Sequence, residues 1–220
     1  YNNAPSKAEA GHVRVHAWSG GAWVLRGAFD GDPNYADVCK SLAMRADDTV
    51  IAFAEDAHVG NGQVQVHKWD GIGTTWSART PLGGEGNGDY FGTSIALSAD
   101  GTVLAVGATW AGGSGTGNYD GSGNVRVYAW NGTHWDPRGD DLDEPGSAGD
   151  ESGTTVAMSA DGTVVAVGSY YGTNGRVNVY DWSGGLWVPR STAFFGAHND
   201  RAEIVALSAD GIVLAIGAWY

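Results

Sequence analysis

One apolar hairpin recurs along the chain and constrains the fold more than any other feature. Residues 95–108 read IALSADGTVLAVGA, in which two apolar runs flank Asp100 and Gly101. Val, Ile and Leu favour buried strands, and Asp-Gly favours a tight turn, so the stretch predicts a β-hairpin. Similar stretches stand at residues 42–54, 156–168 and 205–218, the first with Asp-Asp at the turn. The sequence therefore predicts four copies of one hairpin.

A second kind of hairpin alternates with the first. It opens with alternating Val residues and carries one Trp on each side of a short turn, as in residues 123–139. The two Trp positions are Trp18, Trp69, Trp130 and Trp182, followed by Trp23, Trp76, Trp135 and Trp187. A repeat of about 50 to 60 residues with four strands is typical of a propeller blade. We therefore predict an all-β propeller with four blades of four antiparallel strands.

The two ends of the chain carry complementary halves of one blade. The N-terminal two-Trp hairpin has no apolar hairpin before it, and the last apolar hairpin has no two-Trp hairpin after it. We expect residues 1–220 to form one domain whose ring closes by pairing these terminal hairpins. The repeat units begin near residues 11, 62, 123 and 175. A piece of a longer array of the same repeats has the same pattern and is the alternative.

Charge and composition exclude several classes of partner. The net charge is −13 and only 12 residues are Lys or Arg, which argues against nucleic acid and anionic membrane surfaces as partners. No apolar run approaches the ~20 residues that span a bilayer, so we expect no membrane insertion. The single cysteine, Cys39, stands where sister repeats have Gly92 and Gly153, which favours a small buried residue over a reactive thiol.

Phe91 and Gly92, followed by the apolar hairpin, resemble the FG-GAP repeat, the blade unit of integrin α-subunit-like propellers. The resemblance spans nearly the whole chain and is most specific in the second blade. It implies an extracellular or cell-surface propeller used in adhesion or recognition, usually without catalysis. The calcium loop of that family does not fit the turn at residues 98–101, which is too short and has one carboxylate.

The sequence has no catalytic constellation that we recognise. It has no Gly-rich phosphate loop between a strand and a helix, no nucleophile with His and an acid, and no cluster of metal-ligating His residues. We therefore predict a non-catalytic recognition or scaffold module, not an enzyme, that serves as a subunit of a larger assembly. A carbohydrate-binding lectin is the alternative function.

The strand directions place different kinds of connection at the two ends of the propeller. The Asp-Gly and two-Trp turns lie at one end, which we call the turn face, and the long connections lie at the other, the loop face. Loops held by a rigid scaffold often bind ligands, so we expect a protein or glycan to bind the loop face. The predicted contacts are aromatic residues where strands enter this face, together with Tyr119 in the long loop at residues 109–123: Trp110, Tyr119, Tyr170, Tyr171, Trp219 and Tyr220.

One acidic segment and one set of arginines complete the candidates. Asp30, Asp32, Asn34 and Asp37 alternate along one loop and could ligate calcium, although the pattern favours a solvated acidic loop. We expect no other cofactor.

Four arginines each stand three residues after the second Trp of a hairpin, and we interpret them as edge charges that prevent sheet aggregation: Arg26, Arg79, Arg138 and Arg190.

Overall fold

The computed structural model of the chain is all-β. It describes residues 11–31, 38–55, 61–71, 75–86, 88–112, 121–143, 149–170, 175–190, 194–195 and 201–219. Within these ranges no residue is helical, and so no helix crosses a membrane. The strands are β1 (His12–Ser19), β2 (Ala22–Asp30), β3 (Val38–Met44), β4 (Val50–Glu55), β5 (Gln63–Trp69), β6 (Trp76–Ala78), β7 (Leu82–Gly83), β8 (Phe91–Leu97), β9 (Val103–Ala108), β10 (Asn124–Trp130), β11 (Trp135–Pro137), β12 (Leu142–Asp143), β13 (Ser152–Met158), β14 (Val164–Ser169), β15 (Arg176–Ser183), β16 (Leu186–Pro189), β17 (Phe194–Phe195), β18 (Arg201–Leu207) and β19 (Leu214–Trp219).

Three complete blades lie in the middle of the chain. Blade one has the strand order β3-β4-β5-β6, blade two has β8-β9-β10-β11, and blade three has β13-β14-β15-β16. The short strands β7, β12 and β17 pair with the third strand of their respective blades. All of these pairings are antiparallel. The prediction of an all-β propeller with four-stranded antiparallel blades is confirmed.

The terminal hairpins supply the strands of a fourth blade but do not form one sheet. β1 pairs with β2, β18 pairs with β19, and no pairing among the described strands joins these two sheets. Val13 and Val15 of β1 pack against blade one, whereas Val205 of β18 packs against blade three. Each half-blade therefore packs on its own neighbouring blade. The predicted pairing of the two terminal hairpins is not formed between the described residues.

The core lies between neighbouring blades. Every residue of β9 and of β14 is buried, on both faces of the strand. This double burial explains why these segments read as continuous apolar runs, because each blade packs on one neighbour with each face. Leu104 and Val106 of β9 join a cluster with residues of blade one, while Val103 joins a cluster with blade three.

The first strand of each complete blade begins with an irregularity. Its second residue has a positive φ, which is 98° at Gly92, 86° at Gly153 and 81° at Cys39. A Cβ atom at Gly92 would lie only 2.6 Å from the Cβ of Ala54. The Phe-Gly pattern therefore reflects a left-handed backbone position with little space for a side chain. Cys39 holds the equivalent position in blade one and is half-buried, whereas the sequence predicted a buried residue.

The Asp-Gly turns connect blade to blade. Within one turn, the Ser98 hydroxyl accepts a hydrogen bond from the Val103 N–H (2.9 Å) and Asp100 accepts one from the Thr102 N–H (2.9 Å). Between blades, the Ala99 N–H donates to the Ala160 carbonyl, and the Ala160 N–H donates to the Ala209 carbonyl, both at 2.8 Å. These carboxylates therefore shape the turns, and the turns fix the spacing of the blades.

Three of the four outer-strand arginines are not edge charges, and for Arg26, Arg79 and Arg138 that interpretation was wrong. The Arg79 guanidinium carbon lies 4.5 Å from the ring centroid of Trp130, in the next blade. Arg26 and Arg138 lie in the same way over rings of the blades that follow them. A cation over an indole face is attractive, so each arginine joins its own blade to the next one. We call this contact the Arg–Trp joint.

Candidate functional site

The connection between blades one and two, described at residues 84–86 and 88–90, forms part of the loop face. Its shape depends on Asp89, whose side chain is almost completely buried. The Asp89 carboxylate accepts hydrogen bonds from the backbone N–H groups of Glu85 (3.0 Å) and Gly86 (2.8 Å). A buried carboxylate needs such donors, and these two hydrogen bonds hold the backbone of Glu85 and Gly86 against Asp89.

Two aromatic rings lie beside this loop. The ring centroids of Tyr90 and Trp110 are 5.8 Å apart, with the planes tilted by 48°. The Trp110 N–H donates to the Asp89 carbonyl (3.1 Å), which ties the residue to the loop. Trp110 is 44% exposed, and the Lys40 ammonium lies 5.4 Å from the Tyr90 ring centroid. We call Lys40, Tyr90 and Trp110 the platform.

A buried arginine supports the other side of the same loop. The Arg126 side chain is 5% exposed, and it pairs with Asp141 (3.1 Å) and with Glu85 (3.2 Å). Burial opposes the charge on Arg126, but these two carboxylates outweigh it and the pKa of Arg126 is raised. Asn124 also donates to Asp141 (3.1 Å). The Glu85 side chain itself is 60% exposed, so an ion-paired carboxylate faces solvent at this site.

Two buried polar atoms of this group have no hydrogen-bond partner in the structure, Nη1 of Arg126 and Oδ1 of Asn124. The neighbouring Tyr128 is largely buried, and burial raises the pKa of its hydroxyl to about 12. Tyr128 therefore stays neutral at physiological pH. The chemistry available at the loop face is a fixed cation, an exposed carboxylate and an aromatic surface, a combination that suits a polar ligand with an apolar face.

The structure places the predicted aromatic contacts unevenly. Trp110 is on the platform, and Tyr170 is half-buried just after β14. Tyr119, Tyr171 and Tyr220 lie outside the described residues, and of Trp219 only the backbone, at the end of β19, is described. The sequence analysis missed Lys40, Tyr90, Glu85 and Arg126. The one available signal was position, since Tyr90 immediately precedes Phe91 and Gly92.

The predicted calcium ligands are described only in part. Asp30 pairs with Arg14 through an oxygen 2.5 Å from the guanidinium nitrogen. Asp32, Asn34 and Asp37 lie outside the described residues. Within the part of the chain that the structure describes, no three His, Cys, Asp or Glu side chains form a group fit for a metal ion. Calcium at this loop stays a prediction.

Comparison with known proteins finds similarity in structure alone. No family profile and no curated protein sequence matches this chain. A Bacteroides uniformis protein called a "putative 6-phosphogluconolactonase" matches 98% of this chain with a TM-score of 0.60 and 10% identity. A functionally unknown protein from Desulfotomaculum acetoxidans matches 94% of this chain with a TM-score of 0.63 and 10% identity. A chain of the COPII outer coat vertex on membranes matches 89% with a TM-score of 0.60 and 13% identity.

These similarities support a propeller fold and not the particular FG-GAP family. This chain covers 61%, 56% and 46% of the three neighbours, so it spans about half of their length. Two Bacteroides neighbours carry the lactonase name, the second from Bacteroides fragilis. That finding overturns our prediction of a non-catalytic module, and with it the prediction that the chain is not an enzyme. The neighbour in the COPII coat belongs to a protein assembly, which agrees with the expected protein binding.

Proposed function

We propose that this chain is an enzyme-like propeller that takes a sugar-derived substrate on the platform of its loop face. The observation that carries the proposal is the exposed ring of Trp110, held against Tyr90, at a connection that also presents the ion-paired, exposed carboxylate of Glu85. The apolar face of a sugar ring stacks on an aromatic ring, while its hydroxyl groups need nearby polar partners. The exposed side chains of Lys40 and Glu85 supply both signs of charge.

Hydrolysis of a sugar lactone is the reaction to test first. The name of the Bacteroides neighbours supports this choice of substrate class. Water attacks the lactone carbonyl carbon while an exposed carboxylate such as that of Glu85 accepts its proton as a general base. The ring C–O bond then breaks, and the protonated carboxyl returns the proton to the leaving ring oxygen, which gives the open-chain hydroxy acid. The ion pair with Arg126 fixes the position of the carboxylate. In this proposal Trp110 binds the ring and Glu85 acts on the water.

The test is an assay of lactone hydrolysis with gluconolactone and with 6-phosphogluconolactone, together with calorimetric binding of the two product acids. Trp110→Ala should weaken binding at least about tenfold, because it removes the stacking surface. Glu85→Gln should abolish hydrolysis and retain binding, and Leu186→Ala, an exposed apolar change far along the chain, should leave both unchanged. Binding without hydrolysis would contradict the enzymatic part, and no binding to either acid would contradict the whole proposal.

A protein partner on the same face is the second candidate. A tryptophan that is 44% exposed among charged side chains is typical of a binding hot spot, and one structural neighbour is part of a coat assembly. Affinity purification with the intact chain and with the Trp110→Ala variant tests this candidate. A partner retained equally by both would place the contact elsewhere.

Three finer expectations belong to the same proposal. The positive φ of Gly92 supports the FG-GAP likeness, because it explains why a glycine follows Phe91 at this position. An extracellular or surface location and a single domain over residues 1–220 follow from the likeness and from the continuous repeats. Calcium at Asp30, Asp32, Asn34 and Asp37 requires Asp30 to leave Arg14, and calcium titration of wild type and Asp32→Asn tests it.

A further inference from the structure

The acidic residues of this chain are concentrated in the connections of the loop face. These connections, with the strand ends that enter them, are residues 28–37, 55–62, 80–90, 109–123, 139–151, 169–175 and 191–200. They contain fifteen of the 25 Asp and Glu residues and none of the 12 Lys and Arg residues. The remaining residues are almost balanced in charge, so the net charge of −13 is a property of these connections.

The platform interrupts this acidic pattern. In the sequence, the residue directly before the first strand of a repeat is Asp37, Glu151 or Asp200 in three repeats and Tyr90 in blade two. Tyr90 and Glu151 have the same left-handed backbone conformation, with φ values of 54° and 50°. Tyr90 thus places an aromatic ring at a repeat position that is otherwise acidic. The chain offers a stacking surface within a strongly negative set of connections.

An exposed carboxylate is tied to the same connection as the platform. The Asp89 carboxylate accepts a hydrogen bond from the Glu85 N–H (3.0 Å), and its carbonyl accepts one from the Trp110 N–H (3.1 Å). The Glu85 side chain is 60% exposed. The platform itself contributes one cation, Lys40, whose ammonium lies 5.4 Å from the Tyr90 ring centroid. A ligand on the platform therefore meets at least as much negative as positive charge.

The arginine of this site has no edge that a ligand can reach. The Arg126 Nε bonds to Asp141 (3.1 Å) and its Nη2 pairs with Glu85 (3.2 Å). The third nitrogen, Nη1, is buried. Arginine binds phosphate through two parallel N–H groups that face the ligand, and Arg126 does not present such a pair. Two carboxylates also outnumber its single charge.

The charge of the loop face has a direct consequence for ligands. A phosphate group carries about 1.5 to 2 negative charges at neutral pH. A negative field lowers the association rate and the affinity of a ligand of the same sign. An uncharged sugar is not subject to this repulsion, and its hydroxyl groups donate hydrogen bonds to carboxylates.

We infer that the platform takes an uncharged sugar lactone and discriminates against a phosphorylated one. The inference rests on the proposed function and names the substrate class of the same site. Trp110 stacks on the sugar ring, and exposed carboxylates accept hydrogen bonds from the ring hydroxyls. A phosphate at the end of the sugar brings its charge into the acidic connections, where Arg126 is already neutralised by Asp141 and Glu85.

A comparison of two lactones tests the inference. At low salt, kcat/KM should be at least about tenfold higher for gluconolactone than for 6-phosphogluconolactone, because like charges oppose binding of the second. At about 1 M salt the difference should shrink, since charges are then screened beyond ~3 Å. Salt should change the rate with gluconolactone much less, because this substrate has no charge.

Two matched variants locate the effect on the loop face. Asp140 is exposed and directly precedes Asp141, the partner of Arg126. Asp140→Lys should raise kcat/KM for 6-phosphogluconolactone at least about threefold and leave that for gluconolactone unchanged. Asp136→Lys makes the same change of net charge on the turn face, where Asp136 pairs with His134. This control should alter neither value.

The outcomes separate the inference from the proposed function. Equal kcat/KM values, or a higher value for the phosphorylated lactone, would show that the inference is wrong while the proposed enzyme remains. Calorimetry makes the same comparison without turnover, and gluconate should bind more tightly than 6-phosphogluconate. Tighter binding of 6-phosphogluconate would contradict selection by charge. If neither lactone is hydrolysed and neither acid binds, the proposed function fails and the inference fails with it.

Discussion

The Trp pair of blade two and the Trp pair of the N-terminal half-blade have the same local structure and opposite surroundings. The ring centroids are 5.3 Å apart in Trp130–Trp135 and 5.4 Å apart in Trp18–Trp23. Trp135 is 6% exposed, while Trp18 and Trp23 are 62% and 68% exposed. The hairpin alone therefore arranges the rings, and the preceding blade alone buries them. Stability in this fold is a property of the joints between blades.

The same difference separates blade three from the terminal hairpin that follows it. Val164 of blade three packs into a core cluster shared with β18, whereas Val213, at the equivalent position of the terminal hairpin, is 64% exposed. A substitution at one repeat position should thus have a large effect inside the arc and a small effect at its ends. Four predictions test this statement, from the largest expected effect to the smallest.

Trp135→Ala should destabilise the protein by about 3 to 5 kcal/mol, because it removes a large buried ring and leaves a cavity. Trp23→Ala, at the equivalent position of the half-blade, should change the stability of the monomer by less than about 0.5 kcal/mol. Urea unfolding of both variants at a protein concentration that keeps the chain monomeric is the measurement. Equal losses for the two variants would show that the terminal pair is buried in solution.

Gly162→Ala should cost about 3 kcal/mol, and Gly184→Ala only about 1 kcal/mol. Both glycines have a positive φ, 69° and 62°, so both variants strain the backbone. A Cβ at Gly162 would also lie 2.8 Å from Val103 of the preceding blade, whereas a Cβ at Gly184 meets nothing within 4 Å. The difference between the losses of unfolding free energy in the two variants measures how much the contact with the preceding blade contributes to stability. Identical costs would mean that the turns do not set the blade spacing.

Cys39→Gly should stabilise the protein by about 1 kcal/mol. Cys39 has a φ of 81°, a region in which a residue with a Cβ atom is strained, and glycine holds this position in blades two and three. The converse change, Gly92→Ala, should destabilise, because its Cβ would approach that of Ala54 to 2.6 Å. Thermal unfolding under reducing conditions compares the two. A lower melting temperature for Cys39→Gly would contradict the strain argument.

The hairpins and blades were predictable because their signals are local. An apolar run, Asp100 with Gly101, and a second run determine a hairpin without reference to the rest of the chain. The repeat then determines which strands share a blade. The turn role of Asp100 was predictable for the same reason, since its hydrogen bonds reach only two residues along the chain.

The joints and the site were not predictable, because they depend on residues far apart in sequence. Arg79 reads as an edge charge until the next blade places Trp130 beside it. Tyr90 becomes part of a platform only where Trp110 and the buried Asp89 meet it. The described residues of β1 and β19 do not pair, and a count of hairpins gives the number of strands but not which distant strand edges meet.

Acid stability provides the smallest and most local test. The Ser159 hydroxyl and the Thr163 N–H donate to Asp161, and they lower the pKa of this carboxyl below its usual value of 3.8. In the terminal hairpin the Ser208 hydroxyl and the Ile212 N–H donate to Asp210 and lower its pKa, without the added hydroxyl bond that Thr163 gives Asp161. A lowered pKa in the folded state contributes stability above about pH 4, and this contribution is lost as the pH falls through the folded-state pKa.

Asp161→Asn and Asp210→Asn should therefore each reduce, by a similar small amount, the drop in melting temperature between pH 5 and pH 3. The donors belong to the turn itself, so the position of the hairpin in the arc should not matter, in contrast to the glycine and tryptophan substitutions. Thermal unfolding at the two pH values checks this. An acid effect at Asp161 alone would mean that the neighbouring blade, rather than the turn, controls the carboxylate, and the distinction between local turns and long-range joints would fail.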